Sequence, residues 1–194
     1  VCALEAPDVS RHPGSVEGLA ALYVAAMRAM QPQGPYHLGG WSMGGVIAFE
    51  MARQLEALGE KVAMLALIDS YTPDAARAVA GALDDEETLR RAFGQEMSAS
   101  GVTSSDAEAL FPVYRANVSA MHRYAPGLYS GRASVLMAEA PAADVARHGD
   151  WDARVSGGLS TLIVPGDHHT LLAPPNVAAL TDRLMQLMEE AGAA

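Results

Sequence analysis

Basic residues are scarce in this 194-residue chain: 13 Lys and Arg stand against 23 Asp and Glu, giving a formal net charge of -10. With no Lys/Arg cluster there is no phosphate-binding surface, since cation–phosphate contacts supply most nucleic-acid affinity. Nucleic acid is excluded as the main partner. Cysteine is nearly absent. Cys2 stands alone, so no disulfide closes within the chain, and a reducing, cytoplasmic setting is expected. No apolar stretch is long enough to span a bilayer and nothing resembles a cleaved signal sequence, so no membrane association is expected. Repeats and low-complexity tracts are missing as well. Metal-ligand spacing is also lacking, because the adjacent pair His168–His169 has no third ligand at suitable distance along the chain.

Half of the residues are hydrophobic, and a chain of this length can bury roughly 70% of its unfolded surface, enough for one core. Short apolar runs alternate with longer helical patterns. The runs are VCAL (Val1 to Leu4), YHLGG (Tyr36 to Gly40), VAMLALI (Val62 to Ile68), ASVLMA (Ala133 to Ala138) and TLIV (Thr161 to Val164). Continuous runs of this kind suit strands of a parallel sheet covered on both faces. Between the first two, Leu19, Tyr23, Ala26, Met27 and Met30 recur at helical spacing over Val16 to Met30. Between the second and third, Ile47, Met51, Leu55 and Leu58 form one stripe of a helix over Val46 to Leu58, with Gly59 as its stop. A final helix is expected over Val177 to Glu190, capped by Asn176. The alternation predicts an α/β fold with a mostly parallel sheet flanked by helices.

Residues 73–127 break the alternation. They hold no strand candidate and predict two helices, Glu86 to Met97 and Asp106 to Tyr124. The second carries a Ser105–Glu108 capping box and a bend at Pro112. This insertion reads either as a helical lid or as an ordinary covering pair. At the other end, Val1 begins directly inside an apolar run, so the chain is expected to be a piece of something longer with its opening strands missing.

The sharpest chemical signal is GGWSMGG, Gly39 to Gly45, which follows a strand and precedes a helix. In that context G-x-S-x-G forms a turn so tight that its serine is strained, with Oγ presented outward. Ser42 is the candidate nucleophile, and Gly40 and Gly44 are expected to be required by crowding. The helix N-terminus behind it aims free N–H groups at a developing oxyanion, Met43 N–H first.

A serine hydroxyl needs a base. His12 and His37 precede Ser42, against the chain order Ser, acid, His of this fold. His122 falls in the insertion and His148 in a polar connection. His168 and His169 follow the strand TLIV, at the carboxyl edge where α/β sheets place their sites. Two carboxylates end apolar runs at that same edge, Asp69 after VAMLALI and Glu139 after ASVLMA. A partly buried carboxylate needs a partner, which supports either one.

The stretches GPYHLGGWSMGGVIAFEMARQLEALGEKVAMLALIDS (Gly34 to Ser70) and PGDHHTLL (Pro165 to Leu172), with weaker support from VCALEAP (Val1 to Pro7), resemble the thioesterase domains that terminate nonribosomal peptide synthetases, and somewhat less those of polyketide synthases. The resemblance implies an α/β-hydrolase fold, a single thioesterase domain over 1–194 and a lid at 73–127. It matches the nucleophile to Ser42, the acid to Asp69 rather than Glu139, and the base to His168 rather than His169. A second oxyanion donor matches Ala6.

Two departures concern the pocket: the family's Gly-rich opening segment is absent, and His169 stands where an aromatic residue is usual. The implied reaction is attack by Ser42 on a thioester carried on the phosphopantetheine arm of an upstream carrier domain. Release then follows by water or by the chain's own amine or hydroxyl. Leu89, Phe93, Tyr114 and Met121 would exclude water from it. No cofactor or metal of the domain's own is implied. The alternatives are a stand-alone editing thioesterase and a small-molecule serine esterase.

Overall fold

A computed structural model describes residues 2–75, 85–99, 104–139 and 150–192. His148, part of the 73–127 insertion and the Ser105 side chain of the expected capping box lie outside what it describes. The elements run in the order α1 (Val16–Met30), β1 (Tyr36–Trp41), α2 (Met43–Ala57), β2 (Val62–Ile68), α3 (Glu86–Ala99), α4 (Ser104–Arg123), β3 (Ala133–Ala138), β4 (Leu159–Val164) and α5 (Asn176–Gly192). Single 3-10 turns lie at Val9–Arg11 and Thr170–Leu172.

The four strands are all parallel and lie side by side in chain order, β1-β2-β3-β4. Period-2 alternation sorts their side chains to the two faces. Leu65, Leu67, Val135 and Met137 enter a core that they share with Val16, Leu19 and Ala20 of α1 and with Val46, Phe49 and Leu55 of α2. Their neighbours Ala66, Ile68, Leu136 and Ala138 enter the opposite core with Val164, Leu171 and Leu180, against Leu184 and Leu187 of α5. Because both of their faces are covered, β2 is apolar throughout and β3 apolar except for Ser134, whose hydroxyl meets that of Ser160 at 2.8 Å. This is the parallel sheet flanked by helices that the alternation predicted.

The helix ends follow local chemistry. Ser15 caps α1 by accepting the Gly18 N–H at 3.1 Å. Gly59, at φ 75°, turns the chain out of α2, and the Glu60 N–H closes the end on the Leu55 carbonyl at 2.9 Å. Asn176 opens α5, and its side-chain amide donates to the Thr170 carbonyl at 3.2 Å.

One buried charge ties the insertion to the sheet layer. Glu50 of α2 is 4% exposed and accepts from Arg53 Nη1 at 2.6 Å, the Tyr124 hydroxyl at 2.7 Å and Gln54 Nε2 at 3.1 Å. With three donors on it the carboxylate is satisfied in place. Tyr124 thereby fastens the end of α4 to α2.

Two expectations fail here. The run at Cys2–Leu4 is not a strand: these residues are exposed and pair with no strand among the described residues. A short apolar run sets hydrophobicity but not a ladder partner, and here Cys2, Ala3 and Leu4 line a cavity beside β1 instead. The helix whose apolar stripe is expected from Val46 begins at Met43, with Gly44 and Gly45 in its first turn. Leu89 and Phe93 pack with Phe111 in a small cluster between α3 and α4, flanked by Met97, Tyr114 and Val118. Leu89 and Phe93 hold the helix pair together, whereas Met121 packs against the main core.

Candidate active site

Ser42 stands at the turn from β1 into α2 with φ 54° and ψ -125°. A non-glycine residue at positive φ is strained, and surrounding structure must hold it there. The hold is visible. The Ser42 N–H donates to the Ile68 carbonyl at 2.9 Å and its carbonyl accepts the Gly45 N–H at 3.0 Å. Its hydroxyl does not cap α2, and it has no hydrogen-bond partner among the described residues. Such a hydroxyl is free to meet an incoming group, and nucleophile–base bonds commonly tighten only when substrate is present.

The glycines around Ser42 are not equivalent. A Cβ on Gly40 would collide with the backbone of Gly44, and one on Gly45 would collide with Ser70 Oγ and stand 2.8 Å from the Gly40 carbonyl oxygen. A Cβ on Gly44 would meet nothing within 4 Å. The expectation that Gly40 and Gly44 are the crowded pair is thus half right. Gly45 is the second crowded position, because the Ser70 side chain fills the space between β2 and the first turn of α2.

Asp69 follows the last residue of β2 and is 2% exposed, also at positive φ, 43°. Its N–H donates to the Leu136 carbonyl at 2.8 Å, Oδ1 accepts the Ala138 N–H at 2.9 Å, and Oδ2 meets His168 Nδ1 at 2.6 Å. Neighbouring strand β3 therefore orients the carboxylate, and its second oxygen is left for the imidazole. Glu139 is on the surface, with its backbone N–H donating to the Val164 carbonyl at 2.8 Å. Of the two candidate acids, His168 pairs with Asp69.

His168 lies on the loop after β4, its side chain 21% exposed. Gly166, at φ 99°, and Asp167 build that loop. Asp167 Oδ1 accepts the N–H groups of Thr170 at 2.9 Å and His169 at 3.0 Å, and its own N–H donates to Thr170 Oγ1 at 2.9 Å. The Thr170 backbone and side chain, with the His169 N–H, hold the Asp167 carboxyl below the usual carboxylate range. This turn sends His168 inward and leaves His169 exposed. Three rings surround the imidazole: Trp41 at 4.8 Å, His169 at 5.2 Å and Tyr71 at 5.8 Å between centroids. Neither Trp41 nor Tyr71 is marked as a site residue by the sequence, although Trp41 precedes Ser42 and Tyr71 lies two residues after Asp69.

The remaining candidates are dispersed. His12 takes the Gly14 N–H on Nδ1 at 3.0 Å and meets Asn117 at 2.9 Å; His37 is exposed on β1; His122 is half-buried on α4. Met43 and Ala6 line one cavity of about 360 Å³ with Gly39, Gly40 and Ile47. No group of His, Cys, Asp and Glu among the described residues could hold a metal ion, and no described helix is long and apolar enough to cross a membrane.

A parallel sheet with a serine at its strand-to-helix elbow, and an Asp–His pair at the carboxyl edges of later strands, defines an α/β-hydrolase. The chain belongs to the thioesterase-domain family, whose model matches residues 1–186. It is 41% identical over 120 residues to a non-reducing polyketide synthase, CTB1, of Cercospora nicotianae, covering 60% of this chain and 6% of that protein. It is 38% identical over 112 residues to a dimodular nonribosomal peptide synthase of Bacillus subtilis strain 168, covering 56% of this chain and 5% of that protein. The chain thus spans about a twentieth of the length of these curated relatives. Among solved structures, it superposes on the NocB thioesterase domain, in covalent complex with a fluorophosphonate nocardicin G analogue. There the TM-score is 0.71 and the identity 32%, over 90% of this chain and 74% of that one.

Proposed function

We propose that this chain is the chain-releasing thioesterase domain of a nonribosomal peptide or polyketide synthetase, with Ser42 as nucleophile, His168 as base and Asp69 as the orienting acid. The observation that carries the reading is the buried Asp69 carboxylate bonded at 2.6 Å to His168 Nδ1, in a fold whose elbow holds Ser42 at φ 54°. That bond fixes the tautomer that leaves Nε2 free to take a proton. The covalent fluorophosphonate complex of the NocB domain is consistent with a serine nucleophile in the same family.

In the first half-reaction, His168 takes the Ser42 hydroxyl proton as Oγ attacks the thioester carbonyl. The N–H of Met43, with that of Ala6 as second donor, faces the oxyanion. Losing one such donor typically costs about 10²- to 10³-fold in rate. Collapse expels the thiol of a phosphopantetheine arm, which leaves with the proton from His168, and the chain is now an ester of Ser42. In the second half, His168 deprotonates water or an amine or hydroxyl of the chain as it attacks the ester; His168 then returns that proton to the departing Ser42 Oγ, and the chain leaves as a linear acid or a ring.

The partner is an upstream carrier domain that delivers the thioester, in a cytoplasmic setting. Residues 73–127 act as a lid that limits water, and the α3–α4 cluster gives that lid a rigid body.

The test compares a carrier-bound peptidyl thioester, the matching N-acetylcysteamine thioester and a nitrophenyl ester, with mass analysis of what is released. A preference for the carrier-bound chain supports the proposal, and a product lighter than the acid by one water identifies ring closure. Preference for small esters would favour a soluble-ester esterase, and selective clearing of short acyl groups from carriers an editing enzyme.

A further inference from the structure

A general base must keep Nε2 aimed at the nucleophile. The Asp69 contact holds only one edge of the His168 imidazole, and the ring can still rock about the Nδ1–Oδ2 line. Its loop, moreover, is far from the elbow along the chain, His168 lying 127 positions after Trp41, and the Ser42 hydroxyl makes no bond to it among the described residues. One side chain joins the two. Trp41 is the last residue of β1, in register with Ile68 on β2, and it packs into the same core face as Val164 and Leu171, which flank the His168 loop. Its indole Nε1–H donates to the His168 backbone carbonyl at 3.1 Å. Its ring also lies on the His168 ring at 4.8 Å between centroids and 31° between planes.

We infer that Trp41 is a positioning residue for the base: it fixes the His168 backbone through its N–H and stops the imidazole from rocking through its ring face. This rests on the reading of Ser42 and His168 as nucleophile and base. Two physical effects act together. The hydrogen bond is made by the residue covalently joined to the nucleophile, so the loop and the elbow move as one unit. An aromatic face within 6 Å also attracts a cation, and the imidazolium that forms during each proton transfer meets that face. Tyr71, at 5.8 Å and 41°, adds a further wall.

The experiment uses Trp41→Phe, which keeps a ring and loses the donor, and Trp41→Leu, which loses both. Three quantities are read: kcat and KM on an N-acetylcysteamine thioester, the rate at which a fluorophosphonate labels Ser42, and the imidazole N–H proton resonance of His168. A short bond to Asp69 places that resonance strongly downfield. The expected order of kcat is parent, Phe, Leu. Small displacements of catalytic groups cost up to about 10²-fold, so Trp41→Leu is expected to lose about that much and Trp41→Phe about ten-fold. KM should stay within about two-fold, the signature of an interaction that matters in the transition state. The downfield resonance should broaden in both variants.

A Trp41→Phe protein with parental kcat and labelling rate, or variants that change KM and thermal stability but not the His168 resonance, would overturn the inference and leave the triad intact. Failure of the parent itself to be labelled at Ser42 would instead overturn the functional reading, and the positioning role with it.

Discussion

Replacing Asp69 by Asn is the perturbation whose outcome the structure constrains most tightly. Asp69 is 2% exposed, and its two oxygens have distinct tasks: Oδ1 accepts the Ala138 N–H at 2.9 Å and Oδ2 meets His168 Nδ1 at 2.6 Å. Asn keeps the volume and can keep the Ala138 bond through its carbonyl oxygen. It then presents NH₂ to the imidazole. Nδ1 must become the acceptor, the proton moves to Nε2, and the base loses the lone pair that should receive the Ser42 proton. In serine hydrolases of this logic the isosteric change lowers kcat about 10⁴-fold, or roughly 5.5 kcal/mol of barrier. Removing the oxygen altogether with Asp69→Ala also strands the Ala138 N–H, at a further cost of about 1–3 kcal/mol in folding stability. The assay is kcat on a thioester alongside a urea titration. Asn should leave the midpoint close to that of the parent, and Ala should lower it. Glu139→Ala is the internal control, since that side chain is exposed, and it should change neither quantity appreciably. Loss of activity in Glu139→Ala with retention in Asp69→Asn would refute the reasoning.

Two predictions concern stability. Gly45→Ala places a methyl against Ser70 and 2.8 Å from the Gly40 carbonyl oxygen, and should cost about 1–3 kcal/mol by overpacking, whereas Gly44→Ala, with nothing within 4 Å, should gain up to about 1 kcal/mol from helix propensity; paired denaturant titrations decide. Burial, followed by the charge of Glu56, pushes the Tyr129 hydroxyl up to about 12, and burial with Glu50 raises that of Tyr124 further still. An unfolded tyrosine titrates near pH 10, so each contributes stability that is whole below about pH 10 and falls by about 1.4 kcal/mol per pH unit above it. Tyr129→Phe should flatten that decline between pH 10 and 12, as read by urea midpoints across the range.

The sheet and its flanking helices were legible because a twice-covered strand is built mainly of apolar residues, as VAMLALI and ASVLMA are. The elbow was legible for a different reason: only a tight strand-to-helix turn explains a serine between glycines at that point. What could not be read is contact across the fold. VCAL has the composition of a strand, but whether it pairs depends on which backbone edge is beside it. Asp69 and Glu139 end equivalent runs that their pattern alone leaves tied; the resemblance favours Asp69, and the turn built by Gly166 and Asp167 sends the His168 ring to it. Gly45 looked like one glycine of a rich loop until Ser70, 25 residues away in sequence, was found against it. Trp41 was hidden by the motif that contains it, where the serine and glycines account for the pattern and leave its own partner, a loop beyond β4, without any local signal.

The central claim is that Ser42 carries the acyl chain. Its most direct test is intact-protein mass spectrometry after brief mixing with a peptidyl thioester, followed by peptide mapping of the adduct. An acyl group on Ser42 in the parent, longer-lived when water is the only acceptor, and absent in Ser42→Ala, is the predicted result. Turnover without any such adduct, or an adduct on another residue that persists in Ser42→Ala, would contradict the account.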